Sequence, residues 1–501
     1  MTAKKMQIKK LLVANRGEIA VRIMRSAKEM GISTVAVYSE ADRKALHVRE
    51  ADEAYFIGPA ESALSYLKIE KIIEAAQRTG ADAIHPGYGF LSEKEAFAAA
   101  VQEAGLIFVG PEPHQIRQMG DKVEARELMS SLGVPIVPGT GALHDLVQAE
   151  KEVNELLKKR PDFKFPLLVK ASGGGGGKGM RIVRRPEELK AALERAQSEA
   201  AKAFSNPVIF VERYIEEPRH IEVQILGDGK SAVHLFEREC SLQRRHQKVF
   251  EEAPSPSLSE ATRKRMLDVS VMATQKMGYR SAGTLEFIVS PDDDFYFLEM
   301  NTRIQVEHPV SEAITGIDLV AEQIRIASGE RLRFSQEEIQ RRGHAIEARL
   351  YAEDPERQFL PQPGKLHFLR FPPWNGIRVD SGVESPEVIS QNYDPMIAKV
   401  IAYAPTREQT LEKLRHYLKK IKIEGLITNR SFLVDVCEAE FFRKGRYHTG
   451  HLESSGWRSA PKPTAEVFAL ACLQDYLKNR SETLSRPLSD WQNFGHRRTQ
   501  S

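Results

Sequence analysis

Apolar and polar positions along the first hundred residues switch between two periods. Short apolar runs at 10–14, 34–38, 83–85 and 107–109 predict strands, and between them 17–30, 67–78 and 93–104 carry apolar positions at helical spacing. In the first of these helices Ile19, Ile23, Met24 and Ala27 share one face. Strands alternating with helices predict a parallel sheet covered by helices. From 115 to about 205 the pattern is helix-rich and then turns to strand. Between 208 and 330, strands alternate with two helices, 259–277 and 318–328. Strands at 344–351, 364–370 and 397–403 and a helix at 407–420 follow. No internal repeat is present.

The segment 283–308 departs from an ordinary alternation. Two runs of β-branched and aromatic residues flank Pro291-Asp292-Asp293-Asp294, which predicts an antiparallel hairpin. Folding it about that turn sets Glu286 opposite Glu299, and like charges facing across a strand pair destabilise it. A hard divalent cation such as Mg²⁺ would remove the conflict. If the strand continues, Asn301, Arg303, Gln305 and Glu307 lie on one face and Thr302, Ile304 and Val306 on the other. The plain alternative is a solvated sheet face, but the apolar density around both glutamates argues for a floor that holds metal and substrate.

Strand, glycine loop, strand is the pattern around Lys170-Ala171-Ser172-Gly173-Gly174-Gly175-Gly176-Gly177-Lys178-Gly179-Met180. A P-loop would need glycine at Ser172, a hydroxyl residue at Gly179 and a following helix. A flap whose backbone N–H groups fold onto phosphates fits better than a linker, because apolar strands flank it. No dinucleotide fingerprint follows the first strand, although Asn15-Arg16-Gly17-Glu18 and His85-Pro86-Gly87-Tyr88-Gly89-Phe90 occupy strand ends, where open α/β sheets bind ligands. Lys122 in Met119-Gly120-Asp121-Lys122, and Lys170 at the flap's base, suit phosphate; taken singly, either could form a surface salt bridge. The charged run 237–248 lacks the aromatics that stack nucleic-acid bases. On the strand 344–350, Glu347 and Arg349 share a face, so that the glutamate could hold the arginine toward an anion.

Composition narrows the function. The 501 residues suggest roughly three domains. A net charge of +3 implies no general attraction to nucleic acid or anionic membrane. Cys240, Cys437 and Cys472 make no disulfide framework and no zinc spacing, which fits a reducing cytosol. The basic start leads into an apolar run too short for a signal peptide, and nothing approaches a membrane span. A cytoplasmic protein is expected.

Taken together, the motifs closely resemble biotin carboxylase, an ATP-grasp ligase of biotin-dependent carboxylases. The resemblance runs from about residue 9 to 450. It rests on Ala14-Asn15-Arg16-Gly17-Glu18-Ile19-Ala20, His85-Pro86-Gly87-Tyr88-Gly89, the glycine flap, Pro218-Arg219-His220-Ile221-Glu222, Arg244-Arg245-His246-Gln247-Lys248, Glu347-Ala348-Arg349 and, above all, Glu299-Met300-Asn301-Thr302-Arg303-Ile304-Gln305-Val306-Glu307-His308.

The resemblance implies a mixed α/β and α+β multidomain chain. Its parts are a Rossmann-like pre-ATP-grasp domain over 1–115, an ATP-grasp domain over 116–331 with its lid at about 135–205, and a mainly antiparallel C-terminal biotin carboxylase domain over 332–450. An extension over 451–501, with an amphipathic helix at 464–479 carrying Val467, Leu470, Leu473 and Leu477, is either a partner-docking element or a disordered tail.

It also implies site residues. Lys122, Lys170, Gly174, Gly175, Gly176, Gly177, His220, Gln243 and His246 would contact ATP, with Glu212, Arg213 and Ile215 near the adenine. Relatives often carry Lys where Arg213 stands and Arg where Lys178 stands. Glu286, Glu299 and Asn301 would hold Mg²⁺ or Mn²⁺. Arg303, Gln305 and Val306 would bind bicarbonate, Glu307 would be its general base, Lys248 would face bicarbonate or phosphoryl transfer, and Arg349 would face the biotin ureido oxygen. The implied activity is ATP-dependent, C–N bond-forming carboxylation of biotin. That is the first half-reaction of acetyl-CoA carboxylase, hence of malonyl-CoA and fatty acid synthesis, or of a related acyl-CoA or pyruvate carboxylase. Biotin is expected on a separate carrier protein, since no Ala-Met-Lys-Met occurs, with a carboxyltransferase subunit as further partner and a homodimer as the assembly. The alternatives are a carbamoyl-phosphate synthetase-like ATP-grasp ligase and a basic nucleic-acid-binding protein.

Overall fold

A computed structural model describes residues 7–171, 180–204, 207–245 and 247–454, together with Leu470, Cys472, Leu473 and Leu477. Gly174–Gly177, Lys178, His246 and Val467 lie outside the described residues.

The N-terminal alternation folds as predicted. Five parallel strands lie in the order Glu53–Gly58, Ser33–Ser39, Lys10–Val13, Ala83–His85, Ile107–Phe108. The first of these was not read from sequence: its burial is patchy, with Phe56 exposed, so it lacks the apolar run of a central strand. Strand order reverses between Lys10–Val13 and Ala83–His85, where a crevice opens at the strand ends. The chain's own side chains fill this crevice. Asn15 Nδ2 donates to the carbonyls of Pro86 at 2.8 Å and Tyr88 at 2.7 Å. Gly87 has φ +63° and lies so near Asn15 that an added Cβ would meet its side chain at 2.9 Å.

The largest sheet after it is antiparallel and has eight strands. Its order is Phe295–Asn301, Arg280–Val289, Arg219–Asp228, Ala232–Glu239, Phe250–Ala253, His344–Tyr351, Met396–Ala404, Ile377–Ser381. The sheet is continuous across residues 331 and 332, because Phe250–Ala253 pairs with both Ala232–Glu239 and His344–Tyr351. Helix Arg407–Lys420 buries Leu411, Leu414, Tyr417 and Leu418 in the core that also receives Ile346, Leu350, Val400 and Ala402.

In a smaller three-stranded antiparallel sheet, Met180–Val183, Leu167–Ala171 and Ile209–Arg213, the two strands on either side of the glycine segment pair with each other. Helices Leu146–Lys159 and Leu189–Phe204 complete its separate core around Val153, Phe163, Leu167, Val169, Leu193 and Val211. Leu470, Cys472, Leu473 and Leu477 are helical and exposed. Among the described residues no helix is long and apolar enough to cross a membrane.

Candidate active site

The hairpin forms with Glu286 paired to Glu299. The turn is centred half a residue earlier than its sequence suggests, since Phe287 faces Phe297 and Val289 faces Phe295. One extra residue, Leu298, then bulges and restores the facing glutamates. The two carboxylates have different surroundings. Glu286 is buried, and against the cost of burial Lys248 and His220 hold its pKa well below the carboxylate range. Glu299 is half-buried, and burial together with the facing Glu286 raises its pKa. The charge conflict seen in the sequence is thus met first by protein cations: His220 Nε2 lies 2.8 Å and Lys248 Nζ 3.2 Å from Glu286.

The expected continuation of the strand to Glu307 is corrected. The strand ends at Asn301, and residues 302–307 form a loop leading into helix His308–Thr315, with Glu307 at its N-cap and Pro309 in its first turn. Proline in a first turn is preorganised for a helix, which fits the helix beginning at His308. Ile304 turns away into the core, but Val306 lines the same cavity as Arg303, Gln305 and Glu307, contrary to strict alternation.

That cavity, of about 500 Å³, gathers fourteen of the residues singled out in the sequence: Lys122, Lys170, Glu212, His220, Gln243, Lys248, Glu286, Glu299, Asn301, Arg303, Gln305, Val306, Glu307 and Arg349. Arg213 and Ile215 are not among its lining residues. At one end Lys170 and Arg126 both pair with Glu212. Burial, with Arg126 and Lys122 nearby, pushes the Lys170 pKa down to about 7. Lys122 begins helix Lys122–Ser131, capped by Asp121, and lies 3.9 Å from Glu299.

At the centre, Lys248 Nζ donates to Glu222 and Glu307, each at 2.6 Å, and more distantly to Glu286. Asn301 and Gln305 each donate to Glu286 at 2.7 Å, and Arg303 donates to the Asn301 oxygen at 2.7 Å and to Glu93 at 2.9 Å. At the far end Arg349 meets Glu307 at 3.1 Å and pairs with Glu251. Glu347, on the same strand and face as Arg349, is not its partner, which corrects the pairing suggested by spacing. Burial disfavours the Glu307 carboxylate, but Lys248, Arg349 and Arg238 outweigh it and hold its pKa well below the usual value.

The donor set fits a divalent cation. Glu286, Glu299 and the Asn301 amide offer hard oxygen ligands, and ligand atoms of His220, Glu222 and Glu286 lie within 4.8 Å of one another. Lys248 supplies positive charge among these carboxylates. Removing it should therefore be expensive. Lys248→Met is expected to lower stability by about 3–5 kcal/mol, the usual cost of stranding buried charges. Denaturant unfolding measures this, and an unchanged midpoint would contradict the assignment.

Sequence reasoning missed several members. Arg238 is fully buried and joins Glu222, Gln224, Gln305 and Ser311. The run 237–248 is therefore largely an internal ion-pair network rather than a solvated patch, with Arg244 buried against Glu353. Glu222 is also fully buried. Its signal was the alternation His220, Glu222, Gln224 within the otherwise apolar strand. Lys399, completely buried, ties three parts of the chain together. It donates to the Val306 carbonyl at 2.8 Å and pairs with Glu18 at 3.1 Å, itself bonded to Tyr88.

Comparison with known proteins covers the same regions. Residues 7–116 match the family "Biotin carboxylase, N-terminal domain", 121–335 match "Carbamoyl-phosphate synthase L chain, ATP binding domain", and 347–454 match "Biotin carboxylase C-terminal domain". The chain is 48% identical over 447 residues to the biotin carboxylase of Pseudomonas aeruginosa, covering 89% of this chain and 98% of that protein. It is 48% identical over 502 residues to the mitochondrial methylcrotonoyl-CoA carboxylase subunit alpha of rice, covering 97% of this chain and 67% of that subunit. Of the corresponding rat subunit it spans 61%. The biotin carboxylase domain dimer of Hydrogenobacter thermophilus 2-oxoglutarate carboxylase, solved with MgADP, ADP and bicarbonate, superposes with a TM-score of 0.83 at 47% identity, covering 90% of this chain and 98% of that one.

Proposed function

The chain belongs to the biotin carboxylase family, and from that premise we propose that this cavity carboxylates biotin presented on a carrier protein, using ATP and bicarbonate. The observation that supports this best is one continuous cavity running from Lys170 and Glu212, past Glu286 and Glu299, to Arg303, Glu307 and Arg349. Nucleotide, acid and acceptor could then meet without leaving it.

Lys122 and Lys170 bind and neutralise phosphate oxygens, with Glu212 holding Lys170 in place until they arrive. Glu286, Glu299 and Asn301 would hold Mg²⁺ or Mn²⁺, which when bound neutralises charge on the transferring phosphoryl group. Arg303, Gln305 and the Val306 backbone orient bicarbonate. Lys248, Arg349 and Arg238 keep Glu307 as the carboxylate, which is able to accept a proton. An anion drawing Lys248 and Arg349 toward itself would restore basicity to the carboxylate. Glu307 then takes the bicarbonate proton as its oxygen attacks the γ-phosphorus, giving carboxyphosphate and ADP. Carboxyphosphate breaks into CO₂ and phosphate, and the phosphate removes the proton from biotin N1′. Arg349 stabilises the charge on the ureido oxygen while the nitrogen attacks CO₂. Closure of the glycine segment over the nucleotide would keep carboxyphosphate from water.

The expected assembly is a homodimer that works with a biotin carboxyl carrier and a carboxyltransferase. Support comes from the neighbouring structure, which is a domain dimer. Relatives named for pyruvate, methylcrotonoyl-CoA and plain biotin carboxylation support an acyl-CoA or 2-oxo acid as the acceptor and favour neither. Free biotin should stimulate bicarbonate-dependent ATP hydrolysis several-fold in a coupled ADP-release assay. Stimulation by ammonia instead, with carbamoyl phosphate as product, would assign the cavity to the carbamoyl-phosphate synthetase-like alternative.

A further inference from the structure

Two buried carboxylates beside Arg349 take no part in the steps above. Glu251 and Glu347 face each other on adjacent antiparallel strands, and they are 1% and 0% exposed. Among the described residues, neither carboxylate accepts a hydrogen bond, but Glu251 forms an ion pair with the Arg349 guanidinium and Glu347 forms none. Facing carboxylates shut away from water cannot both ionise cheaply, and one proton between them relieves the conflict. The titration directions agree. Burial, and then the neighbouring Glu251, push Glu347 well above the carboxylate range, although Lys399 opposes this. Burial also raises Glu251 to about 7 against the pull of Arg349.

With that one proton on Glu347, Arg349 stands between two anions, Glu251 and Glu307. These anions have different fates during turnover. When Glu307 accepts the bicarbonate proton it loses its charge, and with it most of its hold on the guanidinium. Glu251 has no such duty. We propose that Glu251 is the positioning residue for Arg349, keeping the guanidinium aimed at the acceptor while Glu307 is protonated, with Glu347 protonated beside it as a neutral neighbour. This rests on the assignment of Arg349 to the biotin ureido oxygen.

The test compares Glu251→Gln, Glu251→Asp, Glu347→Gln and Arg349→Lys in the full chain. The measurements are kcat and KM for free-biotin carboxylation, the KM for ATP, and the slow biotin-independent ATP hydrolysis. Glu251→Gln is expected to lower the kcat for biotin carboxylation by about 10²-fold, the scale of a small misplacement of a catalytic group. The KM for ATP and the biotin-independent hydrolysis should not change. Glu251→Asp should recover part of the loss, and Glu347→Gln should resemble the unaltered protein, because glutamine mimics a protonated glutamate. Equal losses in Glu251→Gln and Glu347→Gln, or parallel losses of ATP binding in both Glu251 variants, would overturn the positioning role. If Arg349→Lys is impaired in biotin carboxylation but Glu251→Gln is not, positioning alone fails. If Arg349→Lys is unimpaired, the assignment of Arg349 fails and the proposal with it.

Discussion

Replacing Glu307 by Gln is expected to lower bicarbonate-dependent ATP turnover by about 10²–10⁴-fold, the range attributed to a positioned general base. Nucleotide binding should remain close to that of the unaltered chain, because Lys122, Lys170 and Glu212 occupy the other end of the cavity. The substitution also has a structural consequence that can be separated from chemistry. Glu307 accepts from Lys248 at 2.6 Å and from Arg349 at 3.1 Å. Gln removes one negative charge from a cluster in which Glu222 and Glu286 still engage Lys248 and Glu251 still engages Arg349. The cluster keeps partners for both cations, so the fold should survive. Near-normal turnover in this variant, measured as bicarbonate-dependent ADP release, would remove Glu307 from the role of base.

The second large effect is expected from Arg349→Lys. Lysine keeps the charge but loses the planar fork, so one group can no longer engage carboxylate partners on one edge and a ureido oxygen on another. Carboxylation of biotin should fall by about 10²–10³-fold, as when a donor to a developing oxyanion is lost. ATP cleavage without biotin should persist, because Arg349 lies beyond Glu307 from the nucleotide end. The ratio of carboxybiotin formed to ATP hydrolysed is the decisive quantity, and it should drop sharply. A proportionate fall in both rates would mean that Arg349 serves phosphoryl transfer instead.

The sequence disclosed the site through local anomalies. Glu286 and Glu299 stood out because acids should not face each other in an apolar hairpin, and the structure pairs them. The pairing depends on the bulge at Leu298, which no residue type announces. The glycine segment was legible as a strand-to-strand connection because Met180-Arg181-Ile182-Val183 lacks any helix start signal, and those residues do form a strand. The end of the hairpin was misread at Asn301 because period-two polarity runs on through Glu307. Pro309 signals only the helix that begins at His308, and no residue type marks the strand end at Asn301.

Long-range charge partners were the least legible. Arg238, Glu251 and Lys399 look like ordinary charged residues in a chain that is 28% charged, and only the folded sheet buries them. Arg126 is similar: a helix surface residue by spacing, it meets Glu212 from 86 positions away. The N-terminal crevice shows the reverse case. Its place at the strand ends was readable, but not that Asn15, Glu18 and Tyr88 close it and link it through Lys399 to Val306.

The most direct test follows oxygen. Bicarbonate labelled with ¹⁸O, supplied with ATP, Mg²⁺ and biotin, should deliver one labelled oxygen to each phosphate released, because its oxygen attacks the γ-phosphorus beside Glu307. Phosphate that takes its new oxygen from water, while carboxybiotin still forms at the normal rate, would contradict that attack and the arrangement of bicarbonate along Arg303–Glu307.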